Sequence, residues 1–192
     1  MAYKNITLTD SNPGNYFYEE AMKTLRTNVQ FSGKNNKVIL LTSGHGNEGK
    51  SDISFNLAVE LGKAGKKVLL IDADIRKSVY KERYNIQEET KGLSQYLSGQ
   101  VEQIDEVVCK TNYENVYMIL AGPYAPNPTE MLGDELFGQL LKAAKQVFCE
   151  GKKASPKKIL NYLGLESGNA TYAKFDDKYK DRFFAGVPNI PN

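Results

Sequence analysis

The sequence contains very little histidine and cysteine. Its single histidine, His45, excludes a histidine-based catalytic triad and any metal site with several histidine ligands. Cys109 and Cys149 lie far apart and form no Cys-x-x-Cys pair, so two reduced cytosolic thiols are favoured over a disulfide or a metal centre. Nucleophilic and metal chemistry that depends on these residue types is therefore not expected.

Long apolar runs and a strong excess of one charge are also missing. No run approaches the roughly 20 apolar residues that cross a bilayer, and the N-terminal stretch MAYKNITLTD lacks the apolar core of a signal peptide. The net charge of +2 is too small to indicate nucleic acid or a membrane surface as the main partner. With 192 residues, 41% of them hydrophobic, the chain is expected to form a soluble α/β domain with a substantial core.

The order of apolar segments in the first half predicts a parallel sheet. Residues 38–41 and 68–71 are short, continuous apolar runs, which are typical of parallel strands buried on both faces. An amphipathic helix is predicted over residues 15–31, and a second helix over residues 51–64, where Gly65 ends it. The strand–loop–helix–strand order is a βαβ unit, which predicts a parallel sheet with a right-handed crossover.

The second half divides into a structured part and a polar tail. Short helices are predicted over residues 92–97 and 101–108, a third strand over residues 116–120, and a helix from residue 130 to about 148 with Thr129 as its cap. Beyond this point the sequence is polar and lysine-rich, with one plausible helix over residues 156–163 and no convincing buried strand. We therefore expect a nucleotide-binding domain over residues 1–148 and an atypical C-terminal segment over residues 149–192.

A phosphate-binding loop is the clearest motif. Residues 44–51, GHGNEGKS, match G-x-x-x-x-G-K-[ST] at every fixed position and lie between a predicted strand and a predicted helix, which argues against an ordinary glycine-rich turn. Glycines let successive N–H groups point at phosphate oxygens, and the helix N-terminus adds positive charge. Lys50 supplies a charge to the β- and γ-phosphates, and the Ser51 hydroxyl suits Mg²⁺. The predicted cofactor-binding residues are Gly44, Gly46, Asn47, Glu48, Gly49, Lys50, Ser51 and Asp52.

A second acidic motif follows the strand predicted over residues 68–71. Asp72 and Asp74 are two residues apart, so they can face the same way at the carboxyl end of a parallel strand, where α/β sheets bind ligands. One carboxylate there can hold Mg²⁺, and the other can accept a proton from an incoming hydroxyl. The alternative is that both acids only cap the following turn.

Together these motifs resemble the bacterial tyrosine kinases of exopolysaccharide and capsule synthesis, over about the first 147 residues. The segments that carry the resemblance are residues 18–21 and 23–28, 42–43 and 47–51, 65–77, 92–99, and 121–123 and 126–132. Asp52 differs from the second hydroxyl residue that often follows the Lys-Ser pair. It either brings a negative charge near the phosphates or stabilises the helix N-terminus.

The resemblance implies a P-loop fold similar to the partition and cell-division ATPases, with ATP and Mg²⁺ as ligands. It implies transfer of the γ-phosphoryl group to tyrosine, mainly in the tail of a neighbouring copy. Lys50, Asp72 and Asp74 would be the catalytic residues, and Ser51 and Asp72 the metal ligands. The block over residues 92–128 favours this kinase branch over a partition-type ATPase.

The resemblance also implies partners. The helix motif Glu-x-x-Arg-x-x-Arg, used for ring assembly in the family, corresponds here to Glu20, Lys23 and Arg26. Lys23 keeps the charge but loses the bidentate geometry of arginine. A solvated helix face is the alternative. The family further implies a membrane adaptor of the polysaccharide co-polymerase type, a cytoplasmic location at the inner face of the membrane, and no nucleic acid.

The sequence departs from the family after residue 148. The family continues into a buried strand that ends in Asp-Thr-Pro-Pro, its Walker B motif, whereas here Cys149 is followed by EGKK. That strand pairs beside the phosphate-loop strand in related folds, so we expect an unpaired sheet edge. Two functions stay open: an ATP-dependent tyrosine autokinase that regulates exopolysaccharide or capsule synthesis, either active or impaired by truncation or replacement of its last third, and a catalytically weak ATP-binding and oligomerisation module that modulates a partner kinase or adaptor. Tyr162, Tyr172 and Tyr179 are candidate acceptors.

Overall fold

The structure, a computed structural model, describes residues 3–10, 16–33 and 37–149. In these residues four strands form one sheet in the order β1-β3-β4-β2. The strands are β1 (Lys4–Ile6), β2 (Val68–Ile71), β3 (Val108–Thr111) and β4 (Val116–Ile119). The helices are α1 (Tyr16–Phe31), α2 (Lys50–Lys63), α3 (Tyr80–Arg83), α4 (Leu93–Leu97), α5 (Pro128–Gly133) and α6 (Glu135–Cys149), with a 3₁₀ turn at Ile104–Glu106.

The sheet is predominantly parallel, as the sequence predicts. β2 runs parallel to β4 with Val68 opposite Val116, and β1 runs parallel to β3 with Lys4 opposite Cys109. β3 and β4 are antiparallel neighbours joined by a tight connection. The backbone of Asn115 in that connection has a positive φ of 60°, which asparagine tolerates better than most residues.

Two apolar layers cover the two faces of the sheet. Successive residues of β4 alternate between them: Tyr117 and Ile119 pack on one side, and Met118 and the following Leu120 pack on the other. The first layer is completed mainly by α4, α5 and α6, and the second by Phe55 of α2, Tyr80 of α3 and Tyr84, which follows α3. This three-layer arrangement places the ends of β2 and α2 side by side.

Most local predictions are confirmed. α1 and β2 match the predicted elements, and α2 begins one residue before the predicted start. Gly65, with φ of 75°, follows the end of α2 as predicted. The N–H of Lys66 donates to the carbonyl of Leu61 at 3.0 Å, which satisfies a C-terminal carbonyl of the helix. The predicted helix over residues 156–163 and the candidate acceptor tyrosines lie outside the described residues.

The predicted strand over residues 38–41 is wrong. This segment is not a strand, and the side chains of Val38, Ile39 and Leu40 are 40–44% exposed. A buried parallel strand needs partners for its N–H and C=O groups. No strand of the described residues pairs with this segment, so its apolar character alone does not place it in the sheet.

Two other predictions need correction. The predicted helix over residues 101–108 is the 3₁₀ turn followed by β3, because the β-branched residues at its end fit a strand better than a helix. The single predicted helix after Thr129 is two helices, since Asp134 is extended with ψ of 150°. Asn127, not Thr129, precedes the first of these helices, and Pro128 occupies its first turn.

Candidate nucleotide site

The phosphate loop owes its shape to residues with positive φ. Asn47 has φ of 61° and Gly49 has φ of 81°, and α2 begins immediately afterwards at Lys50. The N–H of Ile53 donates to the carbonyl of Gly49 at 2.9 Å, which is the first bond of the helix. A Cβ atom on Gly44 or Gly46 would contact nothing within 4 Å. These glycines are thus not required by internal packing, and the open space beside them suits close approach of a ligand to the backbone.

One hydroxyl and one backbone carbonyl hold the Lys50 ammonium. Lys50 Nζ donates to Ser43 Oγ at 2.8 Å and to the carbonyl oxygen of His45 at 3.4 Å. Ser43 Oγ donates to the same carbonyl at 2.7 Å, and Glu48 accepts from the N–H of His45 at 3.3 Å. The ammonium is therefore held by neutral oxygens at the loop. Phosphate oxygens are stronger acceptors for it, because hydrogen bonds between ions are stronger.

Two hydroxyl groups, one from α3 and one from α2 itself, bond to carbonyl groups in the first turn of α2. Tyr80 of α3 is buried, and its hydroxyl donates to the carbonyl oxygen of Ser51 at 2.8 Å. Burial raises the pKa of Tyr80, so the phenol stays protonated and keeps donating. Ser54 Oγ donates to the carbonyl oxygen of Lys50 at 2.6 Å. The residues that would meet phosphate and metal thus stand on a well-anchored turn.

Asp72 lies directly after β2 and is almost completely buried, with 5% of its surface exposed. Its N–H continues the sheet by donating to the carbonyl of Ile119 at 2.9 Å. Its carboxylate accepts from the Ser78 hydroxyl and from the N–H of Asp74 at 3.2 Å. Burial raises the pKa of Asp72 from its usual 3.8 to about 6, and the Ser78 hydrogen bond offsets part of that effect. A cation nearby would stabilise the charged form.

Asp74 is exposed, whereas Asp72 is buried. Its carboxylate accepts from the N–H of Lys77 at 2.9 Å, so it also shapes the turn after β2. The capping alternative is thereby realised for Asp74, but this single bond leaves other oxygen lone pairs available to a ligand.

One groove brings four of the predicted residues together. Lys50, Ser51, Asp72 and Asp74 all line a cavity of about 1060 Å³ that runs between α2, α6 and the outer edge of β2. The remaining predicted residues of the loop do not line it: Gly44, Gly46, Asn47, Glu48, Gly49 and Asp52. The sequence did not predict Ser78 or Tyr80, because nothing local marks a residue that contacts a distant backbone or carboxylate.

The donor set fits a nucleotide with Mg²⁺. Among the residues that line the groove, the Ser51 hydroxyl and the nearly buried Asp72 carboxylate are hard oxygen ligands of the kind Mg²⁺ prefers, and the Lys50 ammonium suits phosphate oxygens. Across the described part of the chain, no group of three or more His, Cys, Asp or Glu residues could hold a metal. Mg²⁺ usually binds through one or two protein groups together with phosphate and water, so this sparse set is sufficient.

Comparison with known proteins agrees with this geometry. Residues 36–133 match the AAA_31 family, described as an AAA domain. The tyrosine-protein kinase CpsD of Streptococcus agalactiae is 42% identical over 130 residues, which is 68% of this chain and 56% of the relative. The chain belongs to the AAA_31 family and is similar to bacterial tyrosine-protein kinases. YwqD of Bacillus subtilis, also named a tyrosine-protein kinase, is 36% identical over 63% of this chain and 51% of its own length.

Solved structures of the kinase family share the fold. The BceF tyrosine kinase domain superposes with a TM-score of 0.61 at 34% identity, covering 71% of this chain and 55% of that domain. The kinase domain of the Escherichia coli tyrosine kinase ETK gives a TM-score of 0.62 at 31% identity, covering 68% and 51%. The chain therefore spans about half the length of the relatives it matches. In the described residues, no helix is both long and apolar enough to span a bilayer.

Asp52 is engaged by other elements of this domain. Its Oδ1 accepts from Arg83 at 2.7 Å, and its Oδ2 accepts from the hydroxyl of Tyr18 at 3.1 Å. Desolvation and the negative charge of Asp52 raise the pKa of Tyr18 to about 12. Asp52 therefore ties α1 and α3 to the first turn of α2. These partners are 34 and 31 positions away, so the sequence alone does not reveal them.

The three residues of the predicted assembly motif do not share one role. Lys23 pairs with Glu20 at 2.7 Å on α1, and both side chains are nearly half exposed. Arg26 instead contacts Glu60 of α2 at 3.4 Å, and Glu60 is buried and also pairs with Lys63 at 2.7 Å. Arg26 thus helps pack α1 on α2, while Glu20 and Lys23 stay available at the surface.

Proposed function

We propose that this chain is the nucleotide-binding part of a bacterial protein-tyrosine kinase. In this proposal it binds ATP with Mg²⁺ and transfers the γ-phosphoryl group to a tyrosine hydroxyl. The observation that supports it most is the meeting of Lys50, Ser51, Asp72 and Asp74 along one groove. Phosphoryl transfer depends mainly on positioning and charge stabilisation, and this set supplies both.

Each residue has a distinct role in the proposed reaction. Lys50 exchanges its neutral loop acceptors for phosphate oxygens and offsets their charge, together with the N–H groups of the loop and of α2. Ser51 and Asp72 would hold Mg²⁺, which supplies further charge stabilisation when bound. Asp74, exposed beside them, would orient the acceptor tyrosine and take its hydroxyl proton as the phosphorus–oxygen bond to the phenol forms. The bond to the ADP leaving group breaks in the same transfer.

Binding of a fluorescent ATP analogue in the presence of Mg²⁺ tests the first part. Lys50→Met should weaken binding about 100-fold, on the scale seen when an electrostatic donor is removed from a polar site. Lys110→Met is the matched control, because Lys110 is exposed on β3 and does not line the groove. Equal binding by wild type and Lys50→Met would refute the proposed site.

Transfer is tested separately with antibody detection of phosphotyrosine, on the chain itself and on an added tyrosine copolymer. Wild type should label in an ATP-dependent manner, and Asp74→Asn should lose most labelling while still binding ATP. A wild-type protein that binds ATP and labels neither substrate, even with the cytoplasmic tail of a membrane adaptor present, contradicts kinase activity.

A second candidate function is an ATP-binding and assembly module that modulates a partner kinase or adaptor. The observation that favours it is that residues 38–41, which lead into the phosphate loop, form no strand, and that Val38, Ile39 and Leu40 are exposed. A less rigid loop binds nucleotide but positions it less well for transfer. Saturable ATP binding without phosphotyrosine, together with altered activity of a partner kinase on addition of this chain, would support this candidate.

The partners implied by the resemblance are part of the proposal. A relative from Klebsiella pneumoniae is named a putative tyrosine-protein kinase in cps region, which supports a role in capsule or exopolysaccharide synthesis. We propose action at the inner face of the membrane through a polysaccharide co-polymerase adaptor, on tyrosines in trans. Glu20 and Lys23 would contribute to a homo-oligomer, with Arg26 supporting α1 from within. Lys23→Glu should shift the oligomer to monomer in light scattering if this holds.

A further inference from the structure

The outer edge of β2 carries no strand in the described part of the chain. On the β4 side, the N–H of Val68 donates to the carbonyl of Asn115, just before β4, and the N–H of Asp72 donates to Ile119 of β4, at 2.9 Å each. Successive strand residues direct their N–H and C=O groups to opposite edges, so those of Leu69 and Ile71 face the groove. An edge of this kind is a template for pairing with another extended chain.

A second part of the groove lining is the apolar segment 37–41, which belongs to no strand of the described residues. Val38, Ile39 and Leu40 are 40–44% exposed, and all of them line the groove. The remaining two parts are the apolar faces of α2 and α6. They contribute Leu57, Ala58, Leu61, Leu141, Ala144 and Phe148.

These four parts of the lining define what can fill the groove. The lining combines the backbone groups of an open strand edge, the apolar segment 37–41, and apolar side chains of α2 and α6. A guest that satisfies all four parts is an extended strand with apolar side chains on both faces. About five residues suffice, since a strand of that length spans roughly 17 Å.

The ends of the groove give the guest strand a direction. At one end, Lys67 lies 4.7 Å from the ring centroid of Phe148, and the Cys149 thiol lies 3.8 Å from the carbonyl oxygen of Lys37. In the sequence, Lys37 directly precedes the apolar residues 38–41, and Lys67 directly precedes β2. Lys50 and Asp72 follow these two segments along the chain and line the other end of the groove. A strand that starts near Cys149 and runs toward Asp72 is therefore parallel to β2.

The residues that directly follow α6 do not suit this groove. They are EGKK, and burying unpaired charges between apolar walls is costly. We propose that the groove is a strand-acceptor site, which binds an extended segment of a second polypeptide in parallel with β2. The guest has about five consecutive aliphatic or β-branched residues and no proline. This inference does not depend on the proposed kinase activity.

Binding of a peptide to the full chain, measured in the absence of nucleotide, tests the proposal. The probe is a fluorescent peptide of five alternating valine and isoleucine residues flanked by lysines, and the control peptide has proline at its centre, which removes an N–H. We expect saturable anisotropy with the probe and at least tenfold weaker binding of the proline peptide. Leu40→Asp should also weaken binding at least tenfold. Tyr124→Asp, at a 70% exposed site outside the groove, should leave binding unchanged.

Disulfide trapping tests the direction. A probe with cysteine at its N-terminus should cross-link to the exposed Cys149 at least five times faster than a probe with cysteine at its C-terminus, and Cys149→Ser should abolish the product. Equal rates for the two probes would overturn the parallel arrangement.

The same assay also tests the alternative that a segment of this chain itself, and not a second polypeptide, binds in the groove. The longest apolar run after residue 149 is residues 183–187, FFAGV. If wild type fails to bind the probe and the double variant Phe183→Asp, Phe184→Asp gains binding, the chain's own tail occupies the groove and the proposal is wrong. Failure of both proteins to bind, with circular dichroism showing intact folding, also overturns it.

Discussion

Replacing Asp72 with asparagine should stabilise the domain at neutral pH, although the same change should abolish its proposed function. Burial raises the pKa of Asp72 from 3.8 to about 6. The folded state therefore binds more protons than the unfolded state between these two values. Stability declines as pH rises through this window and stays lower above it. The asparagine side chain carries no charge, so the Asp72→Asn variant escapes this decline.

The size of the effect follows from the pKa values. One unit is worth about 1.4 kcal/mol, so the ionised Asp72 costs on the order of 3 kcal/mol at pH 7.5 and about 1 kcal/mol at pH 4.5. The advantage of Asp72→Asn should thus grow by about 2 kcal/mol between these pH values. The altered hydrogen bond with Ser78 is the same at both pH values and cancels from this difference. In a domain of this size, 2 kcal/mol shifts Tm by roughly 4–8 °C.

Urea denaturation at pH 4.5 and 7.5, in EDTA and without nucleotide, measures this difference directly. Asp74→Asn is the control, since Asp74 is exposed and its replacement should change stability by less than about 0.5 kcal/mol. An advantage of Asp72→Asn that is equal at both pH values would show that burial does not raise the pKa of this carboxyl group.

Two further substitutions test the packing around the site. Arg26→Ala should destabilise the domain by about 1–3 kcal/mol in urea denaturation, because it removes a partner from the buried Glu60, whereas Lys23→Ala on the exposed face should cost less than about 0.5 kcal/mol. Gly92→Ala should lower Tm by more than about 6 °C in calorimetry, since its Cβ would lie 2.3 Å from backbone atoms of another loop. Gly133→Ala, with open space around it, should not. If Arg26→Ala and Lys23→Ala reduced stability equally, or Gly92→Ala and Gly133→Ala lowered Tm equally, the packing described would be contradicted.

The site was predictable where its chemistry is local in sequence. The phosphate loop is one continuous stretch, and Asp72 directly follows β2, so the loop motif and the apolar run that ends in an acid each predict their own part of the site. Gly65 likewise ends α2 through its own backbone preference. In each case the signal and the structure involve the same few residues.

The features that were predicted wrongly or not predicted depend on contacts between residues far apart in the sequence. The apolar composition of residues 38–41 indicates a strand, but a strand also needs a neighbour that the described residues do not provide. The link from Asp52 to Arg83 joins separate elements and leaves no periodic pattern. β1 has only three residues, so it is too short to show alternation, and it acquires its identity by pairing with β3.

The topology of β1 also has a consequence for the order of folding. β3 and β4 are joined by a connection of a few residues, so their pairing closes a very small loop. β1 pairs with β3 through Lys4 and Cys109, and this contact must bring together two positions more than a hundred residues apart. Since distant contacts cost more chain entropy before they gain any stabilisation, we expect the β3–β4 hairpin to be protected early in pulsed hydrogen exchange and β1 to be protected late.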